Sequence, residues 1–182
     1  MTKAKIIVVG SSNMDMVVQS PHLPAPGETV LGGEFFMNPG GKGANQAVAA
    51  SRLGAKVSFI SKLGNDIFGA KYRNLLDQEE IYTDYVYTDS QNASGIALIT
   101  VDEKGENAIV VAPGANNALG KEDLDLAQEA FVQADYVLMQ LEVPLETVTY
   151  AAQMAAKMGK KVVLNPAPAT DIPDELFSSV YI

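Results

Sequence analysis

The sequence predicts an α/β protein: a doubly wound, mostly parallel sheet with helices on both faces, and a small β-sheet lid beside it. Three observations carry this. Ile6-Ile7-Val8-Val9 is a continuous apolar run closed by Gly10, the pattern of a strand buried on both faces of a parallel sheet. Strand-like and helix-like text then alternates at the spacing of β-α-β units. Two extended segments, residues 28–38 and 94–112, break that rhythm and are expected to pair as a separate flap over the main domain.

The elements follow in order. After the first strand, residues 21–27 hold Pro21, Pro24, Pro26 and Gly27 and form an irregular connection. The extended segment 28–38 is stopped by Pro39-Gly40-Gly41. Lys42 to Leu53 is alanine-rich and helical, with Gly54 as its C-terminal stop. Val57–Ser61 is a second buried strand, and Asp66–Glu80 a second helix with Asp66 placed as its N-cap. Gly95–Val101 and Ala108–Ala112 flank a polar stretch and read as an antiparallel hairpin. Lys121–Val132 is an acidic helix, its Glu122, Asp123, Asp125 and Glu129 expected on a solvated face. Tyr136–Leu141 is a strand. Pro144–Met158 is a helix with Pro144 near its first turn and Leu145, Val148, Ala152, Ala155 and Met158 on one face. Val162–Leu164 is a strand, Asn165-Pro166-Ala167-Pro168 a stiff connection, and Asp174–Ser178 a short helical turn. Val180-Tyr181-Ile182 opens another apolar run, expected to lie as an unpaired edge.

A length of 182 residues fits one domain, with roughly 70% of the unfolded surface buried. Thirteen Lys+Arg against 22 Asp+Glu give a net charge of −9. That balance argues against nucleic acid or an anionic membrane as partner. The absence of Cys removes disulfides, thiolate nucleophiles and Cys-ligated zinc, and the single His22 cannot build a multi-His metal site. The apolar run after Lys3 and Lys5 is too short for a secretory signal, and no run reaches the length of a membrane span. The expected location is the cytoplasm.

Ligands of open parallel sheets bind at the carboxyl ends of strands, and three polar clusters sit at such ends. In Gly10-Ser11-Ser12-Asn13-Met14-Asp15, an extended chain puts Asn13 and Asp15 on one side. A carboxylate beside an amide suits adjacent hydroxyls, although an Asx-rich turn has the same local text. The stretch Asn38-Pro39-Gly40-Gly41-Lys42-Gly43-Ala44-Asn45 sets glycines ahead of a helix, which allows close backbone approach. Gly43 stands where a P-loop needs Ser or Thr, so the stretch reads as a small-molecule site or as a packing turn. In the third cluster, Glu142 follows a strand and precedes a helix; it can accept from a ligand hydroxyl or serve as a helix cap.

Together these residues resemble the ribokinase branch of the ribokinase/PfkB carbohydrate kinase family. The likeness rests on Val9–Asp15, Pro26-Gly27-Glu28-Thr29, Gly40–Ala47, Lys62–Asp66 with Gly69, Gly114-Ala115-Asn116, Gln140-Leu141-Glu142 and Asn165–Pro168. It spans nearly the whole chain. The resemblance implies a ribose site formed by Asn13, Met14, Asp15, Gly40, Gly41, Lys42, Gly43, Ala44, Asn45 and Glu142, with segments 28–38 and 94–112 as the lid. It also implies a homodimer through the lids, and ATP-dependent phosphorylation of D-ribose at its 5-hydroxyl with Mg2+ and a monovalent cation such as K+. Members of the family are longer. Their Asn-x-x-Glu motif, and the Gly-Ala-Gly-Asp motif whose Asp is the general base, have no counterpart before Ile182. The chain is therefore expected to cover the sugar-binding portion without the nucleotide-binding half, to hold no catalytic base, and to have no kinase activity by itself.

Overall fold

The computed structural model describes residues 3–182. Five parallel strands form the main sheet: β1 (Lys5–Val9), β4 (Lys56–Gly64), β5 (Val86–Asp89), β8 (Tyr136–Met139) and β9 (Lys161–Leu164), in the order β5-β4-β1-β8-β9. The alternation of β1 side chains divides the core. Ile7 and Val9 join Val137 and Met139 on one face. There they pack against Phe131 of α4 (Gln128–Gln133) and Val148, Ala151, Ala152 and Ala155 of α5 (Leu145–Lys157). Val8 points the other way, with Phe59, Ala44 and Ala47 of α1 (Lys42–Arg52), and Tyr72 and Leu76 of α2 (Ile67–Gln78). A strand apolar at every position thus serves two helical layers, as the doubly wound expectation requires.

The lid is a second sheet of four strands, β2 (Asn13–Ser20), β3 (Phe35–Gly40), β6 (Gly95–Asp102) and β7 (Asn107–Ala112), in the order β3-β2-β6-β7. The β6–β7 hairpin falls where the sequence puts it, with antiparallel pairing from Ile96↔Ala112 to Val101↔Asn107. The rest of the lid corrects the sequence reading. The expected strand at 28–38 is confined to Phe35–Gly40, and it runs through Pro39 and Gly40 instead of stopping before them. Pro39 lies on an outer strand of this sheet, where its missing N–H is tolerated. The central strand β2 is missing from the sequence reading, which has only an extended stretch or an Asx-rich turn at Asn13–Asp15. Its pairing is parallel to β6 along its full length and antiparallel to β3.

Other departures are local. The acidic helix is two short ones, α3 (Lys121–Leu126) and α4, separated at Ala127. Asp123 is not solvated: it is buried and ion-pairs with Lys62 at 2.8 Å, while its carboxylate accepts from Gly120 N–H. Asp66 caps α2 as expected, accepting from Gly69 N–H at 2.8 Å. His22 is exposed and bonded to Glu28. Asp174–Phe177 forms α6. Residues 180–182 are not an unpaired run, because Tyr181 N–H donates to Val162 O and Leu164 N–H donates to Ile182 O, both at 2.8 Å.

Candidate functional site

The chain passes between the two sheets several times, first at the carboxyl end of β1. Beyond β1 the chain leaves the main sheet through Gly10-Ser11-Ser12 and enters the lid as β2. The first turn of α1 is laid directly on this crossing. Ala44 N–H donates to Ser11 O at 2.9 Å, and a Cβ on Gly43 would stand 2.5 Å from Ser11 N and 2.6 Å from Gly10 C. Only a residue without a side chain permits that approach. Gly41, the N-cap of α1, has φ 92°, the left-handed region that glycine adopts without strain. The glycines of this stretch bring a helix N-terminus against the carboxyl end of β1, and no P-loop results.

Around this junction the structure gathers residues far apart in sequence. Glu142 comes from the loop between β8 and α5, and its carboxylate reaches the start of α1. There it accepts from Lys42 N–H at 2.8 Å and from Ser11 Oγ–H at 2.6 Å, with Lys42 Nζ 3.5 Å away. The sequence offered helix capping as one reading of Glu142, with its own following helix in view. The helix it caps is α1, which has no acidic residue in its first turn and no side-chain cap of its own. A carboxylate at that position complements the helix dipole and the free N–H groups.

Asn13 and Asp15 project from the same face of β2. Asn13 is buried, and its Oδ1 accepts from Asn116 Nδ2–H at 2.7 Å. Asp15 lies over Gly40: a Cβ there would be 2.1 Å from Asp15 Oδ2. Burial raises the pKa of Asp15 above its ordinary value, and the nearby charge of Glu142 adds to this. Burial likewise raises Tyr72 well above the usual phenol range, helped by the charge of Asp15. Tyr72 therefore stays a neutral donor, and its hydroxyl donates to Gly40 O.

Not every residue in the sequence-predicted set turns its side chain to this junction. Met14 and Ala44 are packed in the core with Val8 and Phe59. Asn45 is exposed on the first turn of α1. Asn116 and Gln140 are residues that reasoning from single clusters missed as parts of the site. Both lie within motifs that carry the resemblance, but neither motif says what they touch. Gln140 is fully buried, donates to Gln46, and keeps Oε1 without a partner. Among the described residues, no group of three His, Cys, Asp or Glu is arranged to hold a metal ion. The junction thus offers an amide, two carboxylates and a lysine, a set matched to a polyhydroxylated ligand, while the first N–H groups of α1 are already taken by Glu142, Ser11 and Gly41.

The sequence pattern of the pfkB family of carbohydrate kinases matches residues 3–182. A ribokinase of Haemophilus influenzae is 49% identical over 177 residues, covering 97% of this chain and 58% of that protein. A deoxyribokinase of Salmonella typhi is 42% identical over 164 residues, 90% of this chain and 54% of that protein. The Arabidopsis thaliana ribokinase complexed with ribose and ATP superposes with a TM-score of 0.85 at 31% identity, covering 99% of this chain and 59% of that one. The chain spans little more than half the length of these three relatives. With the family pattern matched from residue 3 to residue 182, the chain belongs to the pfkB family of carbohydrate kinases.

Proposed function

We propose that this chain is the sugar-binding and lid portion of a ribokinase, whose parent reaction transfers the γ-phosphoryl group of ATP to the 5-hydroxyl of D-ribose. The observation that carries the reading is the junction itself: Asn13 and Asp15 from the lid face Lys42 and Glu142 from the main domain. Asp15 supplies acceptors for sugar hydroxyls, and Asn13 adds an amide. Lys42 and the glycine backbone around residues 40–43 border the same space, with Asn45 at its exposed side. A sugar held between lid and domain would be shielded from water as the lid closed. The Arabidopsis thaliana ribokinase complexed with ribose and ATP lends support.

Phosphoryl transfer rests on positioning and on charge stabilisation around the phosphates. The Asn-x-x-Glu and Gly-Ala-Gly-Asp motifs have no counterpart in this sequence, so in this reading the groups that hold ATP, Mg2+ and K+ and the general base belong to the part of the longer relatives that this chain does not span. The chain by itself is inactive. We also propose a homodimer through the lid. Leu98, Ile109 and Val110 are each more than half exposed on its strands, more apolar surface than a small isolated sheet normally shows to water. The parent enzyme would work in the cytoplasm, where ATP is supplied.

Calorimetric titration of the purified chain with D-ribose, 2-deoxyribose and a hexose tests the site. Binding of D-ribose ahead of the other two is expected. Equal or stronger binding of 2-deoxyribose would move the reading to a deoxyribokinase, and absence of any sugar binding would overturn it. Formation of ribose 5-phosphate by this chain with MgATP would refute its proposed inactivity.

A further inference from the structure

We infer that Asn116 is a positioning residue that fixes which end of the Asn13 amide meets the ligand, so that Asn13 presents a donor. The inference builds on the sugar-site reading above and goes beyond it in naming the polarity of the contact.

The argument starts from backbone groups, whose roles are not interchangeable. Ser12 N–H can only donate, and it does so to the Asn116 side chain at 2.9 Å, which makes that atom Oδ1. The other end of the same amide is then Nδ2. It donates to Ser12 O at 3.1 Å and to the Asn13 side chain at 2.7 Å. The Asn13 atom facing Asn116 must accept, so it is Oδ1. One backbone N–H thus sets the orientation of two successive amides. Asn116 is only 1% exposed, so water does not compete for these bonds. Its Nδ2 protons and its Oδ1 are all engaged on Ser12 and Asn13.

The remaining end of Asn13, Nδ2, has no partner among the described residues. It is not among their buried unpartnered side-chain atoms either, where Gln140 Oε1 stands alone, so it stays open to solvent. Two further features serve the pair. The Gly114–Ala118 turn that carries Asn116 is tied to the lid entrance by Ala115 N–H donating to Ala93 O at 2.8 Å. Gly95 leaves the space in which the amides meet, since a Cβ there would lie 2.3 Å from both Asn116 Nδ2 and Asn13 Oδ1.

The consequence is a specificity. Asn13 offers N–H to a ligand oxygen, while Asp15, two residues on along the same face, takes a hydroxyl hydrogen. That pair fits two neighbouring hydroxyls used in opposite senses. It disfavours a ligand that turns an ammonium or amide N–H toward Asn13.

The test is side-chain amide NMR on the 182-residue chain, with D-ribose as probe. In the wild-type protein the Asn116 amide protons should exchange at least about tenfold more slowly than those of Asn13, and D-ribose should shift the Asn13 amide resonances. In Asn116→Asp the carboxylate still accepts from Ser12 N–H but repels Asn13 Oδ1. Asn13 should then turn, become the slowly exchanging amide, and stop responding to D-ribose, with affinity about tenfold weaker. Were Asn116 only structural, melting would fall while the Asn13 response stayed as in the wild type, and the inference would be overturned. If Asn116→Asp does not fold, Gly95→Ala carries the same test, because its methyl separates the two amides and should speed Asn116 exchange. Wild-type exchange in the reverse order overturns the inference without any variant. A wild-type chain that ignores D-ribose but keeps the expected exchange order would remove the sugar reading and leave the orientation of Asn13 supported.

Discussion

Replacing Glu142 probes the junction most directly, because its carboxylate joins three elements. Glu142→Ala removes the acceptor for Ser11 Oγ–H at 2.6 Å and Lys42 N–H at 2.8 Å. Hydrogen bonds to a charged group contribute about 1.5–3 kcal/mol each, and the helix-dipole contribution is about 0.3–1 kcal/mol. The Glu142 side chain is 19% exposed, so water recovers part of this. The ion pair with Lys42, itself 40% exposed, adds little. The net expectation is a loss of about 2–4 kcal/mol, or roughly 4–16 °C in Tm for a chain of this size. Glu142→Gln keeps one oxygen acceptor and should lose about 1–2 kcal/mol. It also removes a like charge near Asp15, so the Asp15 pKa should fall, yet stay above 3.8 because burial is the larger cause. The sign of the pH effect follows. A carboxyl whose folded pKa is raised binds its proton more tightly in the folded state, so its cost to stability is absent below 3.8 and grows as pH rises through the raised value. Glu142→Gln lessens that cost, and its deficit at neutral pH should be smaller than bond loss alone predicts. Thermal melts followed by circular dichroism, with carboxyl NMR titration of Asp15, measure both effects. The reasoning fails if both variants melt within about 0.5 kcal/mol of wild type, or if Asp15 titrates unchanged in Glu142→Gln.

Gly43→Ala should destabilise by about 1–3 kcal/mol, even though alanine favours a helix by about 1 kcal/mol over glycine, because the new methyl meets the backbone of residues 10–11; a melt equal to or above wild type would contradict the close approach. At Asp66, burial acts to raise the pKa, but hydrogen bonds from Ser94, Gly69 and Phe68 outweigh it and lower the value. Its stabilisation is therefore present above 3.8 and lost as pH falls through the folded pKa. Asp66→Ala should cost about 1–2 kcal/mol at neutral pH, with the gap to wild type narrowing in acid denaturation. Leu98→Glu combined with Val110→Glu should convert a lid-mediated dimer to monomer in sedimentation velocity, with a somewhat lower melt because the two positions are directly paired; a dimer that survives both changes would exclude this face.

The main sheet was legible because burial on both faces leaves uninterrupted apolar text, as in Ile6–Val9. It was equally legible in α5, where Val148, Ala152 and Ala155 repeat at helical spacing and are fully buried. The lid was half legible. The β6–β7 hairpin shows two apolar runs around a turn. Strand β2 begins with the polar residues that form the site, and that hid its strand character. The split of α3 from α4 left no proline or glycine to mark it, and β5 is four residues with mixed polarity. In the site, extended alternation put Asn13 and Asp15 on one side, but only the family resemblance set them above an Asx-rich turn. The partners of Glu142 and the role of Asn116 did not, because they are contacts across 100 or more positions and no local pattern encodes them.

The residues of the proposed sugar site lie on both sides of the junction between the two sheets, which gives the proposed binding a mechanical meaning. Asn13 and Asp15 belong to the lid sheet, whereas Lys42 and Glu142 belong to elements packed on the main sheet. Near the site the two sheets are tied by the chain itself at Gly10–Ser12 and at Gly40–Lys42, by the Ser12–Asn116 bonds, by Tyr72 O–H donating to Gly40 O, and by Asp66 accepting from Ser94 N–H at 2.7 Å. A ligand that bonds to both sets at once would add ties of the same kind between the two sheets. Binding to the folded state alone raises stability by RT ln(1 + [L]/Kd), about 2.7 kcal/mol at a hundredfold excess over Kd. If the ligand also restrains the lid, hydrogen exchange should slow across β2, β3, β6 and β7 more than across β8 and β9. Uniform slowing of both sheets would mean that the sugar stabilises the fold without joining its two parts.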